Sequence, residues 1–340
     1  MKNFLPFLCA FILAGMLWSC STESAVHLPL YSPDKEIVLY VHMTEQGQPA
    51  YSVEFKGIMV IDTSFLSFEF QKEAPMKEGF EIVKRMSSAF NDTWEMPWGE
   101  QREVVDNYME HRLFLQEKDG KKRKVNLIFR AYDDGVAFRY EFPSQAGIDT
   151  LIFMDENSEF ALTGDHDVWW IPGDWDSYEH LYNQTKFSEI DTVGKTKHPN
   201  LIGTHVPEVA ANTPVTMKTS EGVYLSFHEA SLTNYPGITL KKTDGSLTLT
   251  SELVGSDRLG YKAKVALPFA TPWRTIQIAD RAGDLIESKL IVNLNEPNKL
   301  GDISSYFKPI KYMGIWWHIQ LKKYTWALAT GRQGAAPDEA

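Results

Sequence analysis

From Ser32 to Asn295 apolar and polar positions alternate in short runs, and no helical stripe longer than a few turns interrupts them. Glu36–Met43 (EIVLYVHM), Tyr51–Gly57 (YSVEFKG), Val125–Tyr132 (VNLIFRAY), Val136–Phe142 (VAFRYEF) and Leu247–Leu253 (LTLTSEL) suit half-buried strands. Successive side chains leave a strand on opposite faces, so a strand with one face on the core repeats every two residues. Asp134-Gly135 and Asp244-Gly245 each lie between two such runs, where a glycine can take the positive φ of a tight hairpin. Many antiparallel strands at this spacing predict a mainly β protein, a large antiparallel β-sandwich. No internal repeat or low-complexity linker divides the chain.

The pattern changes after Pro297. Gly301–Ile319 opens as a polar, proline-containing connection and runs into MGIWWHI, a compact apolar segment of the kind buried in a parallel sheet. Parallel neighbours need crossover connections, and the polar residues after it do not provide them. The chain therefore reads as stopping just after a second domain begins, which, if the segment is the first strand of a (β/α)₈ barrel, is a barrel cut short. In that fold the later residues of a strand point to the face that carries the active site, which makes Trp316, Trp317 and His318 candidates for substrate contact.

At the other end, Lys2 precedes an apolar run from Phe4 to Trp18 that is short for a membrane span and has the form of a secretory signal. Leu17-Trp18-Ser19-Cys20 resembles a bacterial lipobox, with Trp18 an unusual occupant. The expectation is export to the periplasm or outer membrane, with Cys20 lipidated and anchoring the protein to the membrane. Cleavage without lipidation is the plainer alternative. Cys9 falls inside the signal, which leaves no pair for an intramolecular disulfide. Residues 1–20 are thus assigned to the signal, 27–297 to the sandwich, and 298–340 to a linker and the start of the barrel.

Composition narrows the chemistry. The chain has 340 residues, 43% hydrophobic and 13% aromatic, enough for a sizeable core. A formal charge of -11 argues against nucleic acid as a partner. The one dense basic run, Lys118–Lys124 (KDGKKRK), sits in a polar turn and reads as a solvated loop. There is no GxSxG, no Gly-rich phosphate loop and no HExxH, so chemistry falls to carboxylates, histidines and aromatic surfaces.

Trp169–Asn183 (WWIPGDWDSYEHLYN) crowds rings and acidic groups into a turn, where small polar residues are usual. Asp174, Asp176 and Glu179 offer hard oxygen donors, but three carboxylates cannot fill a Ca²⁺ shell of six to eight oxygens, and the spacing is not that of an EF-hand loop. A solvated acidic turn with core tryptophans is the simpler reading. In Asn91–Tyr108, Trp98 and Glu100 are placed to stack on a sugar and accept its hydroxyls, although core packing explains the rings equally well. His228-Glu229 reads as a satisfied, partly buried pair rather than a ligand or base.

Several blocks taken together, FNDTWEMPWGE, YDDGVAFRYEFP, LTGDHDVWWIPGDWDSYE, YLSFHEA, TPWRTI, LIVNLNEP and KYMGIWW, resemble the N-terminal portion of glycoside hydrolase family 97 in the same order. The resemblance implies a galactose-mutarotase-like β-super-sandwich followed by a (β/α)₈ barrel that bears the catalytic glutamates. It further implies an exported exo-α-glycosidase acting on α-linked oligosaccharides, in which a sandwich glutamate reaches the active-site Ca²⁺. By its place in GDWDSYE that ligand is Glu179, with Asp174 and Asp176 orienting the loop. The catalytic carboxylates fall in the missing barrel, so the resemblance assigns no catalytic residue to this chain and implies that it is inactive alone. A stand-alone carbohydrate-binding sandwich is the competing reading.

Overall fold

The computed structural model describes residues 26–192, 205–256 and 258–312. Cys20, Trp316, Trp317 and His318, and with them the lipobox and the barrel-strand reading, lie outside the described residues. The described chain forms β1 (Val26–Tyr31), β2 (Ile37–Met43), β3 (Pro49–Phe55), β4 (Ile58–Phe70), β5 (Phe80–Glu95), β6 (Glu103–Glu117), β7 (Lys124–Tyr132) and β8 (Gly135–Phe142). There follow β9 (Thr150–Leu162), β10 (Asp167–Trp170), β11 (Asn183–Lys186), β12 (Ala210–Asn212), β13 (Val215–Lys218), β14 (Tyr224–Ala230) and β15 (Ile238–Lys242). The last strands are β16 (Thr248–Leu253), β17 (Ala263–Ala266), β18 (Phe269–Ala270) and β19 (Trp273–Ala279), before two short helices, α1 (Ala282–Glu287) and α2 (Leu290–Asn293).

Two antiparallel sheets hold these strands. One runs β1-β2-β3-β4-β9-β16-β15-β12 with β17 added to β9; the other runs β11-β10-β13-β14-β19-β8-β7-β6-β5 with β18 added to β8. All five runs singled out by alternation are strands, to within two residues at their ends. Gly245 takes the expected left-handed φ of 72°. Gly135 does not sit at its hairpin's tip but pairs with Tyr132, leaving Asp133-Asp134 as the two turn residues. Its glycine identity is required by contact as well: a Cβ there would lie 2.3 Å from the Ile276 carbonyl oxygen.

Inward rings from both sheets fill the space between them. Tyr51 of β3 meets Phe138 of β8 at 4.9 Å between ring centroids, Phe68 of β4 meets Tyr140 of β8 at 4.5 Å, and Phe160 of β9 meets Phe227 of β14 at 5.4 Å. Each fully buried ring of this kind contributes about 1.5–3 kcal/mol over leaving it in water. One ion cluster crosses the same interior. Arg274 of β19 donates Nε and Nη2 to the two carboxylate oxygens of Glu156 on β9, at 2.7 and 2.8 Å, and Nη1 to Glu229 on β14 at 2.6 Å. A smaller apolar cluster with Tyr132, Trp273, Leu290 and Leu294 includes α2, whose first turn is capped by Asp134 Oδ2 accepting from the Lys289 and Leu290 N–H groups.

The basic run between β6 and β7 is mixed in character. Lys118, Lys121 and Lys122 are exposed, but Arg123 turns inward, donating Nε to Glu117 at 2.8 Å and Nη1 to the Ala74 carbonyl at 2.6 Å.

Two compact units can be distinguished. The larger comprises residues up to Asp92 and Val105–Glu296; the smaller comprises Thr93–Val104 and the chain from Pro297.

Candidate functional site

The ring-rich turn is the loop of a hairpin. β10 and β11 pair with Trp170 opposite Asn183, so residues 171–182 form the connection between them. The alternation of β10 sorts its two tryptophans: Trp170 is fully buried and donates Nε1–H to Thr185 Oγ1 at 3.0 Å, while Trp169 faces the other side and is half-buried. The simple reading expected the tryptophans of this stretch to be core, and that holds for Trp170 alone, since Trp169 and Trp175 are half-buried.

Backbone contacts fasten the loop to β12 and to the segment before it. Gly173 N–H donates to the Ala210 carbonyl at 2.7 Å and Val206 N–H donates to the Gly173 carbonyl at 3.0 Å. This approach leaves a side chain tightly crowded, since a Cβ on Gly173 would lie 3.0 Å from Ala210 O and 3.1 Å from Val206 Cγ2, and those neighbours would have to give way by a few tenths of an ångström. Asn212 closes the arrangement from β12, accepting from Asp174 N–H at 3.0 Å and donating to the Ser177 carbonyl at 3.0 Å.

Asp174 organises the turn from inside. Its Oδ1 accepts the N–H groups of Asp176 and Ser177 at 2.9 and 3.1 Å, the local pattern by which aspartate stabilises a bend. Its Oδ2 lies 3.0 Å from His180 Nε2 and 3.4 Å from His205 Nδ1. The result is a pinned base that leaves the following residues outside: Glu179 is exposed, as are Tyr178 (61%), Leu181 (88%) and Tyr182 (65%). Glu179 is positioned through its backbone, whose N–H donates to Ser177 Oγ at 3.0 Å, and its carboxylate makes no ion pair with an arginine among the described residues.

The other candidates are differently placed. Trp98, 37% exposed, lines an open concavity with Glu95, Met96, Pro97 and Arg102 in the smaller unit, and Glu100 is exposed outside that lining. Arg102 pairs there with Glu95 at 3.1 Å. His228 and Glu229 are not a pair, because adjacent strand residues point to opposite faces. His228 Nδ1 meets Thr213 Oγ1 at 3.0 Å, whereas Glu229 belongs to the Arg274 cluster and accepts from Ile238 N–H at 3.2 Å. Burial pushes the Glu229 carboxyl up, against the pull of Arg274, and pushes the His228 imidazole down. His180, His205 and Asn212 were not singled out by the sequence. His205 and Asn212 are distant in the chain, and no metal or catalytic motif has their spacing.

The fold is thus a two-sheet antiparallel super-sandwich with an acidic, ring-bearing loop at the end of one hairpin. The family described as "Glycosyl-hydrolase 97 N-terminal" matches residues 30–297. The chain belongs to glycoside hydrolase family 97. It is 22% identical over 325 residues to a retaining alpha-galactosidase of Bacteroides thetaiotaomicron, a match that takes in 91% of this chain and 47% of that protein. It is 37% identical to a family 97 enzyme of a Pseudoalteromonas species solved in complex with panose, with a TM-score of 0.77 over 88% of this chain and 42% of that one. A complex of a family 97 enzyme from the same organism with acarbose aligns with a TM-score of 0.76. A beta-arabinopyranosidase, 20% identical with a TM-score of 0.62, shares the fold. The chain spans less than half the length of these relatives.

Proposed function

We propose that this chain is the N-terminal sandwich of an exported, calcium-dependent glycoside hydrolase that cleaves α-linked oligosaccharides. In this reading it contributes one Ca²⁺ ligand and part of the substrate pocket to a barrel that carries the acid and its partner carboxylate. Glycoside hydrolysis needs two such carboxylates at a fixed separation, one to protonate the leaving oxygen and one to activate water or attack the sugar. Two buried acidic side chains of the sandwich interior, Glu156 and Glu229, are occupied otherwise, paired with Arg274.

The observation that carries the reading is the disposition of Glu179. It offers a hard oxygen donor, the chemistry calcium takes, from an exposed position on a loop whose base Asp174 fixes with two backbone hydrogen bonds. One carboxylate fits as a single contributor to a shared shell and not as a site in itself. A cation held there would supply positive charge to orient the oxygens of a bound glycoside. Trp98 and Glu100, with Trp316, Trp317 and His318, would make sugar contacts, and Cys20 would carry the lipid that holds the enzyme at the membrane. That family 97 enzymes have been solved in complex with panose and with acarbose supports α-linked oligosaccharides as the substrate class.

The test is a barrel-containing protein with Glu179→Ala. Calcium affinity should fall by ~10-fold or more, the scale for groups that tune a metal site, and hydrolysis of p-nitrophenyl α-glucoside should fall with it. Unchanged calcium affinity removes the ligand assignment. The present chain alone should cleave neither the α-glucoside nor the α-galactoside.

The competing reading, a sandwich that binds glycans unaided, draws on the exposed rings of Tyr178 and Tyr182 beside Glu179. Glycan-array binding by this chain would favour it.

A further inference from the structure

We infer that Asp174, His180 and His205 form a site for a four-coordinate transition metal of the Zn²⁺ class, separate from the calcium ligand proposed at Glu179. The three donor atoms, Asp174 Oδ2, His180 Nε2 and His205 Nδ1, all lie within 4.8 Å of one another. Two of the separations, 3.0 and 3.4 Å, are close to the ~3.3 Å between neighbouring ligands of a tetrahedral ion with bonds of ~2.0–2.1 Å.

An aspartate–histidine hydrogen bond would account for His180 but not for the second imidazole. His205 Nδ1 is buried, aims at the same carboxylate oxygen, and completes no hydrogen bond among the described residues. The carboxylate is already oriented for a ligand role: Oδ1 is held by the Asp176 and Ser177 N–H groups, which turns Oδ2 toward both rings. Metal sites use hydrogen bonds of this kind to fix their ligands. The second segment is also fixed, by the antiparallel bridge between Asp174 and His205 and the adjoining bond from Val206 to Gly173.

Two imidazoles and one carboxylate suit zinc, whereas calcium takes oxygen donors. The side chains of Asp174 and His180 are 0% and 2% exposed and that of His205 is 31% exposed, so the cluster is closed on the inside and open on one side, where water can complete the shell. The ion would staple residues 174–180 to the segment around His205, and so stiffen the loop that presents Glu179.

The experiment uses the whole chain without a histidine tag, stripped with chelator and then titrated with Zn²⁺ by calorimetry and with Co²⁺ by visible absorption. We expect one Zn²⁺ per chain, intense d–d bands of four-coordinate Co²⁺ that excess Ca²⁺ does not remove, and a melting temperature raised by Zn²⁺. His205→Gln, at the partly exposed ligand, should fold with the melting temperature of the metal-free protein yet bind Zn²⁺ at least ~100-fold more weakly. Absence of Zn²⁺ binding by the wild type, or equal binding by His205→Gln, overturns the site. Neither outcome bears on calcium at Glu179, which is read from activity with the barrel present.

Discussion

Arg274 holds a guanidinium with no solvent exposure between two sheets of rings, a position that carries a large desolvation cost. Burial works against its charge, and the carboxylates of Glu156 and Glu229 hold it above even its ordinary range. Further groups satisfy the cluster: Ser158 Oγ donates to Glu156 Oε1 at 2.9 Å, and Ser251 Oγ donates to the Glu156 carbonyl. Removing the cation would leave two carboxylates facing each other without water. Arg274→Met should therefore destabilise the sandwich by about 3–5 kcal/mol in urea unfolding, the cost of breaking a buried pair from one side. A loss no larger than that of an exposed substitution would mean that the cluster is hydrated. The sequence reading placed Glu229 beside His228, its chain neighbour. Its real partner is 45 residues away and Arg274's other partner 118 away, separations that carry no local signal.

At the scale of elements, the hairpin loop between β10 and β11 behaves as a built part and not as a loose connection. Gly173, Asp174 and Asn212 each make contacts that a longer or apolar side chain would forfeit. Gly173→Ala should cost roughly 1–3 kcal/mol through overpacking against Ala210 and Val206. It should also speed hydrogen exchange at the Asp176 and Ser177 amides, which Asp174 protects. Unchanged exchange would show the loop held by other means. The richness of this stretch in rings and acids was legible in the chain, and so was the orienting role of Asp174. The long pair β5 and β6 was not read as strands. Nearly every position of β5 is exposed or half-exposed, so its sequence lacks the alternation that a covered face imposes.

At the scale of the whole molecule, three imidazoles among the described residues couple stability to pH. His42, His166 and His228 lie below the ordinary histidine range because burial disfavours their charged forms, with His27 adding to the effect at His42. Once unfolded, each would titrate near ~6.5. Below that pH the unfolded chain binds more protons than the native one, so their contribution is full above ~6.5 and is lost as pH falls toward the native values. Asp155 acts in the opposite sense, since burial beside Glu252 pushes its carboxyl up to about 6 and the native state keeps that proton longer. The histidine contribution is therefore best read as a difference. His228→Gln, which can still bond Thr213, should show a smaller drop in Tm than wild type between about pH 7 and pH 5. Parallel curves would remove the assignment.

The chain by itself determined the class of fold, because strand alternation is written locally wherever one face of a sheet is covered, and its ordered blocks determined the family. Those blocks also located the loop that bears Glu179. Only the tertiary structure decided which side chains meet. Asp174 with His180 and His205, Arg274 with Glu156 and Glu229, and Gly173 with Ala210 are each brought together by strand order and register. Those depend on the whole hydrogen-bonded sheet and not on any neighbouring residues.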